Sequence, residues 1–581
     1  MQRLTLLGLA GALSILASVD APRAQGAAPR AFVLDQDARS LTVVDVATGE
    51  ALKTATLPGS PAMLRRTGDG KTLLVLDRGV GRDAGDAGFQ AKTRSAVTIL
   101  DGQTLAVRSR VELGWGLEPT VMLGRAGDRL SVICPGYVSR KPDEALPREI
   151  VTVDLASGQV AARLVLPRPA SAFFSTPDGR TAVILSAKDK PKQTPPLPAE
   201  LRFVDLTAGN LLATVPLVGD PRNPVLSPDG KFVYLLDRGS PSGNPEKNVN
   251  GHLVVVSAEA HKVEATMEVG SKPRGFVLDE GGRQLLLLSD RPPARGAERR
   301  GEVRMIRGAS ASAPIEVPAM PEVIRATADG TRIFVISGDA ITGLTLPDLT
   351  PATSLRRPSV INMESAVSPD GRRAFVVFQQ NLWTYDLESG TELKKVITGR
   401  MGQRLLLATV AVVATEASRS SGQREAEAKG RSHYQYTEYS LRDANDTIAV
   451  RPDSKAAYAL NRQTGDVTIV DSATGEVIEK VGTDGFAVHF LPGASTALVI
   501  DNSAVHAIDM TTNKKLDDLA SGSYSAGDGF ARVQISPDGK YAVVYGRQAV
   551  LCVNGSSGKA TGHLRGFRRV VDVETDWVAQ R

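Results

Sequence analysis

Apolar residues along this chain come in runs of about five, broken at even intervals by Gly, Pro, Asp and Ser. Pro221 to Leu226 is one such run, and Ser-Pro-Asp-Gly at 227–230 interrupts it. Lys231 to Asp237 (KFVYLLD) follows, and after a longer polar stretch come Leu253 to Ser257 and Lys262 to Val269. Runs this short, bounded by turn residues, predict strands; a helix needs a longer stretch with a 3.6-residue period. The turn has its own chemistry. Pro presets φ at the first central position, Asp bonds its own backbone, and Gly accepts positive φ, so the flanking strands pair antiparallel.

The turn recurs. It reads Ser227-Pro228-Asp229-Gly230-Lys231, Ser368-Pro369-Asp370-Gly371-Arg372 and Ser536-Pro537-Asp538-Gly539-Lys540, with looser copies around Asp69, Asp178, Asp329 and Asp453. A second signature, an apolar run followed by Asp and a Thr/Ser-Gly turn, occurs at Val44-Asp45 to Gly49, Val153-Asp154 to Gly158, Tyr385-Asp386 to Gly390 and Val470-Asp471 to Gly475. Equivalent turns lie roughly fifty residues apart in the first half and roughly forty in the second, the period of a four-stranded propeller blade. One blade cannot bury both faces; stacked blades bury them against neighbours. The expected fold is therefore all-β, a β-propeller of about eleven or twelve four-stranded antiparallel blades.

Ten turns between first and second strands are recognisable, near Asp69, Asp128, Asp178, Asp229, Gly281, Asp329, Asp370, Asp453, Gly493 and Asp538. Residues 398–445 read as a degenerate further blade, with strands at Leu405 to Val413 and Tyr434 to Leu441. Arg569 to Val573 reads as a lone first strand, completing a blade whose other strands are Ala31 to Asp35, Leu41 to Val46 and Ala51 to Leu57. Single rings usually hold four to eight blades. Two tandem propellers are expected, 27–350 and 351–581, as six plus six or seven plus five, with the division where Pro347, Pro351 and Pro358 cluster.

The Gly270 to Pro273 approach, the Ser-Pro-Asp-Gly-Lys corner and the Val-Asp-x-x-Thr-Gly turn together resemble the YVTN-type β-propeller repeat family, over most of residues 31–570. That resemblance implies the fold. It implies little about function, because such repeats carry binding proteins, surface proteins and a few enzymes.

Composition adds a compartment. Arg3, the apolar run Leu4 to Ala17 and small residues near Ala24, Gly26 and Ala27 read as a signal peptide over 1–26, which directs the chain to a periplasm or the exterior. No membrane span is expected after cleavage. Cys134 and Cys552 lie in apolar runs of distant repeats and are expected as buried free thiols. A 42% hydrophobic, 23% charged composition excludes global disorder.

Long polar insertions recur between second and third strands, at 80–94, 136–149, 188–200, 239–251 and 291–301, and another, Ala417 to His433, lies in the degenerate blade. Equivalent connections leave one face, and loops on a rigid scaffold are where binding concentrates. Arg82, Lys92, Arg94, Lys188, Lys190, Lys192, Arg295, Arg299 and Arg300 make several of them basic. Glu118, Arg222, Arg274 and Glu322, in turns leading to first strands, are candidates for a channel mouth, the two arginines as anion contacts or as partners of the neighbouring glutamates.

No chemistry with a specific signature accompanies them. The six His show no zincin spacing, no Gly-x-Ser-x-Gly is present, and Gly70-Lys71-Thr72 lacks the earlier Gly of a phosphate loop. Pyrroloquinoline-quinone dehydrogenases share the Asp-x-x-Thr-Gly turn but require a Trp after it, where Ala51-Leu52 and Val477-Ile478 stand. Aromatic content of 5% gives little base stacking, so nucleic acid is not an expected partner. The reading is a secreted or periplasmic binding scaffold for a protein or envelope polymer, with an anionic ligand open and no cofactor, metal or catalytic residue assigned. The alternative is a lactonase-like hydrolase acting in one channel.

Overall fold

The computed structural model describes residues 29–577 except 80, 84–88, 92, 118–120, 125–126, 137–145, 177, 188–196, 228, 238, 240–249, 279–284, 292–299, 320, 322, 328, 338, 357–363, 379, 399–446, 462–463, 484, 502–503, 522–529 and 531. Every regular element among them is a β-strand. The strands form eleven antiparallel blades, numbered here in chain order, so the protein is a β-propeller. Blade 1 comprises Val570–Thr575, Arg30–Asp35, Ser40–Asp45 and Ala51–Thr56, and the C-terminal strand pairs antiparallel with Arg30–Asp35. Blades 2 to 6 follow at 61–115, 121–165, 172–216, 222–269 and 271–318, and blades 7 to 11 at 323–356, 364–397, 447–481, 487–521 and 532–565.

The chain divides into two compact units. One holds Met1–Asp45, Glu50–Glu322 and Gly566–Arg581; the other holds Val46–Gly49 and Val323–Arg565. Six blades fall in the first unit and five in the second. Pro351 stands in the fourth strand of blade 7, and Pro347 in the turn just before that strand.

The turn at 227–230 shows why these residues fold this way. The Ser227 hydroxyl donates to Asp229 Oδ1 at 2.6 Å, the Lys231 amide donates to the same oxygen at 3.1 Å, and the Phe232 amide donates to Ser227 Oγ at 2.9 Å. Gly230 has φ of 73°, a conformation that favours Gly. The pattern repeats at Thr67–Asp69, Thr327–Asp329, Ser368–Asp370 and Ser536–Asp538. The hydroxyl bond holds Asp229 below the ordinary carboxylate range, and Thr327 helps bring Asp329 down to about 2. In the second signature, Asp101 Oδ1 accepts from the Gln103 and Thr104 amides at 3.0 and 2.8 Å.

Second strands are the most apolar. Thr72–Asp77 and Thr181–Ser186 are buried at every position but the first. Their side chains meet the next blade. In the first unit, Phe32 and Leu34 of blade 1 share a cluster with Leu64 and Leu73 of blade 2. Equivalent clusters join blades 2 and 3, 3 and 4, 4 and 5, and 5 and 6. In the second unit four clusters join blades 7 to 11 in order. Blades 8 and 9 pack directly, with Phe375, Val377 and Leu382 against Ala457, Ala459 and Val470. They are immediate neighbours in the stack, although 398–445 separates them in sequence; the strands expected there lie outside the described residues. Cys134 and Cys552 are buried and free of disulfides, packing in blades 3 and 11.

Candidate functional site

Strands alternate in direction, so each blade's second-to-third connection leaves the same end as the link to the next blade's first strand. In blades 2 to 6 the second-to-third connections are long: 78–93, 135–148, 187–199, 238–250 and 292–299. In blades 7 to 11 they shrink to 337–339, 379–380, 461–466, 501–503 and 546–548. Among the described residues the long connections are thus confined to the first unit, and the insertion expected at 417–433 lies outside those residues.

Their bases are clamped by arginines and buried carboxylates. The Arg168 guanidinium donates to the Ala187 and Pro198 carbonyls at 2.7 and 2.6 Å, tying both ends of the blade 4 connection, with Glu200 at 3.6 Å. Arg148 Nε donates to the Pro135 carbonyl at 3.1 Å across the blade 3 connection, and burial lowers its pKa. Glu149 pairs with Arg163 at 3.2 Å, and Glu200 also pairs with Arg202. In blade 2, Asp77 accepts from the Ser60 amide and Arg110, both at 2.9 Å, and from the Gly79 amide at 2.8 Å. In blade 6, Glu302 Oε1 accepts from the Gly270 amide, Ser289 Oγ and Arg304 Nε at 3.0, 3.0 and 3.1 Å.

Glu302 is 3% exposed, so removing its carboxylate strands three donors away from water. Glu302→Ala is expected to cost about 3 kcal/mol in chemical denaturation. Glu302→Gln, which keeps an acceptor, should cost less than half as much. A loss below about 0.5 kcal/mol for the Ala variant, the level of an ordinary surface change, would show the clamp to be idle.

Of the basic loop residues, Arg94 lies over the Trp115 ring at 5.7 Å and Arg300 faces Glu316 at 4.0 Å. Arg82 stands in a short strand, Gly81–Asp83, paired with Phe89–Ala91. Lys92, Lys188, Lys190, Lys192, Arg295 and Arg299 lie outside the described residues, as do Glu118 and Glu322. Arg274 falls in the first strand of blade 6, where the ladder register shifts between Ser271 and Gly275. Arg222 opens the first strand of blade 5 and donates Nε and Nη2 to Asp220 Oδ2 at 3.0 and 2.6 Å. Arg222 is thus paired to a carboxylate two residues away, Asp220, which is not one of the glutamates considered as its partner.

Arg222 also borders a cleft of about 510 Å³ between blades 4 and 5, lined by Ser171, Ala172, Phe173, Phe174, Leu185, Ala187, Arg222 and Pro224. Ser171, Ala187 and Arg222 place its mouth at the end that carries the long connections. A second cleft, about 770 Å³, lies at the short-turn end of blades 3 and 4, among Asp128, Arg129, Asp178, Arg180 and Asp205. Asp178 and Asp205 there already cap their own turns.

One further charged group was not foreseen. On the first strands of blades 1 and 2, Arg65 Nη1 faces Asp572 at 3.1 Å and Glu574 at 3.5 Å, while Asp576 takes Arg66 and Arg30 at 3.3 and 3.0 Å. Burial, then the Asp572 charge, pushes the Glu574 carboxyl up to about 7, outweighing the two arginines. Asp572 and Glu574 are visible in the sequence only as alternate residues of an apolar strand, and their partners lie some 500 residues away, so spacing could not find them. The loop clamps leave a better trace, a Glu at or near the start of the third strand: Glu149 and Glu200 head theirs, and Glu302 is the third residue of Arg300–Arg307. Among the described residues, no group of three or more His, Cys, Asp or Glu could hold a metal ion, and no helix is long and apolar enough to cross a membrane.

No protein-family model matches the chain, and no curated protein matches it. Solved structures do. A eukaryotic initiation factor aligns at 11% identity over 79% of this chain and 97% of its own, with a TM-score of 0.39. Dihydro-heme d1 dehydrogenase NirN, in complex with DHE, aligns at 16% identity over 63% and 73%, TM-score 0.32. The β-propeller domain of Myceliophteria thermophila Cps50 (Swd1) aligns at 12% identity over 71% and 97%, TM-score 0.25.

Proposed function

We propose that this chain is an exported binding scaffold whose first unit presents a loop-bearing face to a protein or envelope polymer. The observation that carries the reading is the run of long second-to-third connections in five successive blades, with carboxylate–arginine pairs at the bases of those in blades 2, 3, 4 and 6. Order at the base and length at the tip is the arrangement by which rigid β-scaffolds carry recognition. The repeat likeness to the YVTN type, the division into a loop-bearing and a plain propeller, and export by residues 1–26 belong to the same reading.

Shortening 84–88, 188–196 and 292–299 to Gly-Ser links is expected to reduce partner capture from the native envelope fraction at least tenfold. Melting should move by no more than a few degrees, since these segments lie outside the clamps. Capture equal to that of the intact chain would refute the scaffold role of this face.

The lactonase-like alternative has one observation in its favour, the Asp572–Glu574 pair beside Arg65 with a carboxyl that keeps its proton to about pH 7. Lactone turnover that disappears in Glu574→Gln would favour it.

A further inference from the structure

The cleft between blades 4 and 5 has an apolar interior, and among the described lining residues Arg222 is the one charged group, at its mouth. Phe173, Phe174 and Pro224 supply the interior. Its walls are the first strands Ala172–Ser175 and Arg222–Leu226, each with one ladder partner in its sheet, so one edge of each strand lies outside the ladder. Val218, 84% exposed, stands four residues before Arg222 in the same inter-blade link. A volume of about 510 Å³ is that of a small-ligand pocket, ample for one large side chain with its flanking amides.

The state of Arg222 selects among ligands. Its side chain is 63% exposed and spends Nε and Nη2 on Asp220, so the pair is close to neutral and Nη1 takes no part in it. A free anion meets the Asp220 charge together with the Arg222 charge, and gains little. A neutral carbonyl oxygen needs only the donor. Carbonyls beside an apolar side chain, on a backbone able to lie along an open strand edge, describe an extended peptide.

Resting on the scaffold reading, we propose that this cleft receives an aromatic or large aliphatic side chain from an extended segment of a protein partner, with Arg222 donating to a main-chain carbonyl beside it. Asp220 is a positioning residue that holds the guanidinium and cancels its charge.

The test uses the full chain and two small probes, N-acetyl-phenylalaninamide and phenylacetate, titrated by ligand-observed NMR. The amide is expected to bind saturably in the millimolar range and at least fivefold tighter than phenylacetate. Arg222→Ala should weaken the amide about fivefold. Ser171→Trp, a change at an exposed lining residue, should block it by filling the cleft. Asp220→Asn frees the guanidinium charge and should move the preference toward phenylacetate. Tighter phenylacetate binding by the unaltered chain would overturn the peptide assignment in favour of an anion site. No saturation by 20 mM of either probe (the weak end for ligands this small), or binding indifferent to Arg222→Ala and Ser171→Trp, would overturn the site itself. Ser171→Trp protein that still captures the envelope partner through its loops would remove the cleft from the scaffold reading and leave that reading standing.

Discussion

Deleting residues 566–581 is expected to keep the first unit from folding, with loss of near-UV dichroism and rapid proteolysis between residues 29 and 115. Val570–Thr575 is the only strand beside Arg30–Asp35 on one side of blade 1, paired from Ala31↔Thr575 to Asp35↔Val570. Without it, five backbone ladder positions and the Phe32 region face water. Val573 is 1% exposed and Trp577 8%; burial of two valines and a tryptophan alone is worth about 5 kcal/mol. That is comparable with the whole stability of many domains. Charge adds to it. Asp35, 1% exposed, accepts from the Arg568 and Arg569 amides at 2.7 and 3.0 Å, and Arg30 binds Asp576. Asp35→Ala, which leaves the strand in place but orphans those amides, should cost about 2 kcal/mol. A truncated chain that melts cooperatively within a few degrees of the intact one would show that blade 1 does not depend on the C-terminal strand.

That pairing was legible because Arg569 to Val573 repeats the spacing of a first strand. The blades were readable for the same local reason: Ser227, Asp229 and Gly230 make their turn from neighbours within five residues. The site was not. Arg168 reaches Ala187 and Pro198 from outside the connection it clamps, and Arg65 meets Asp572 across a separation of 507 residues. Such pairings follow from which blade stacks on which, a property of the assembled fold with no trace in a turn. Arg222 shows the opposite error of scale. Its basic character was plain, but Asp220, two residues away, decides what that charge is free to do. The strands expected within 398–445 fall outside the described residues, while blades 8 and 9, on either side of that interval, share one cluster.

Glu574 should make the stability of the first unit fall as pH rises from about 4.5 to about 7. The folded chain holds a proton at Glu574 up to about pH 7, whereas an ordinary glutamate releases it near 4.5. Between those values the folded state binds more protons than the unfolded one, so its advantage is complete at low pH, declines through the interval and is gone above it. Two and a half units correspond to about 3 kcal/mol at most. The groups facing Glu574 are Asp572, Arg65 and Arg66, with Asp576 and Arg30 next to them. The turn aspartates run the other way: their lowered pKa values stabilise the fold above about 3.8 and that gain is lost only as pH drops toward 2, outside this window. His506, which burial lowers but its bonds to Asp501 and Asp518 raise on balance, belongs to the second unit and contributes equally in both proteins compared. Glu574→Gln keeps the shape and removes the titration. Urea denaturation at pH 5 and pH 8 should therefore show the variant about 2 kcal/mol more stable relative to the parent at pH 8 than at pH 5. Parallel curves for the two proteins would mean that Arg65 keeps Glu574 ionised throughout, and with that the proton at this strand, and the one observation favouring hydrolysis, would both be lost.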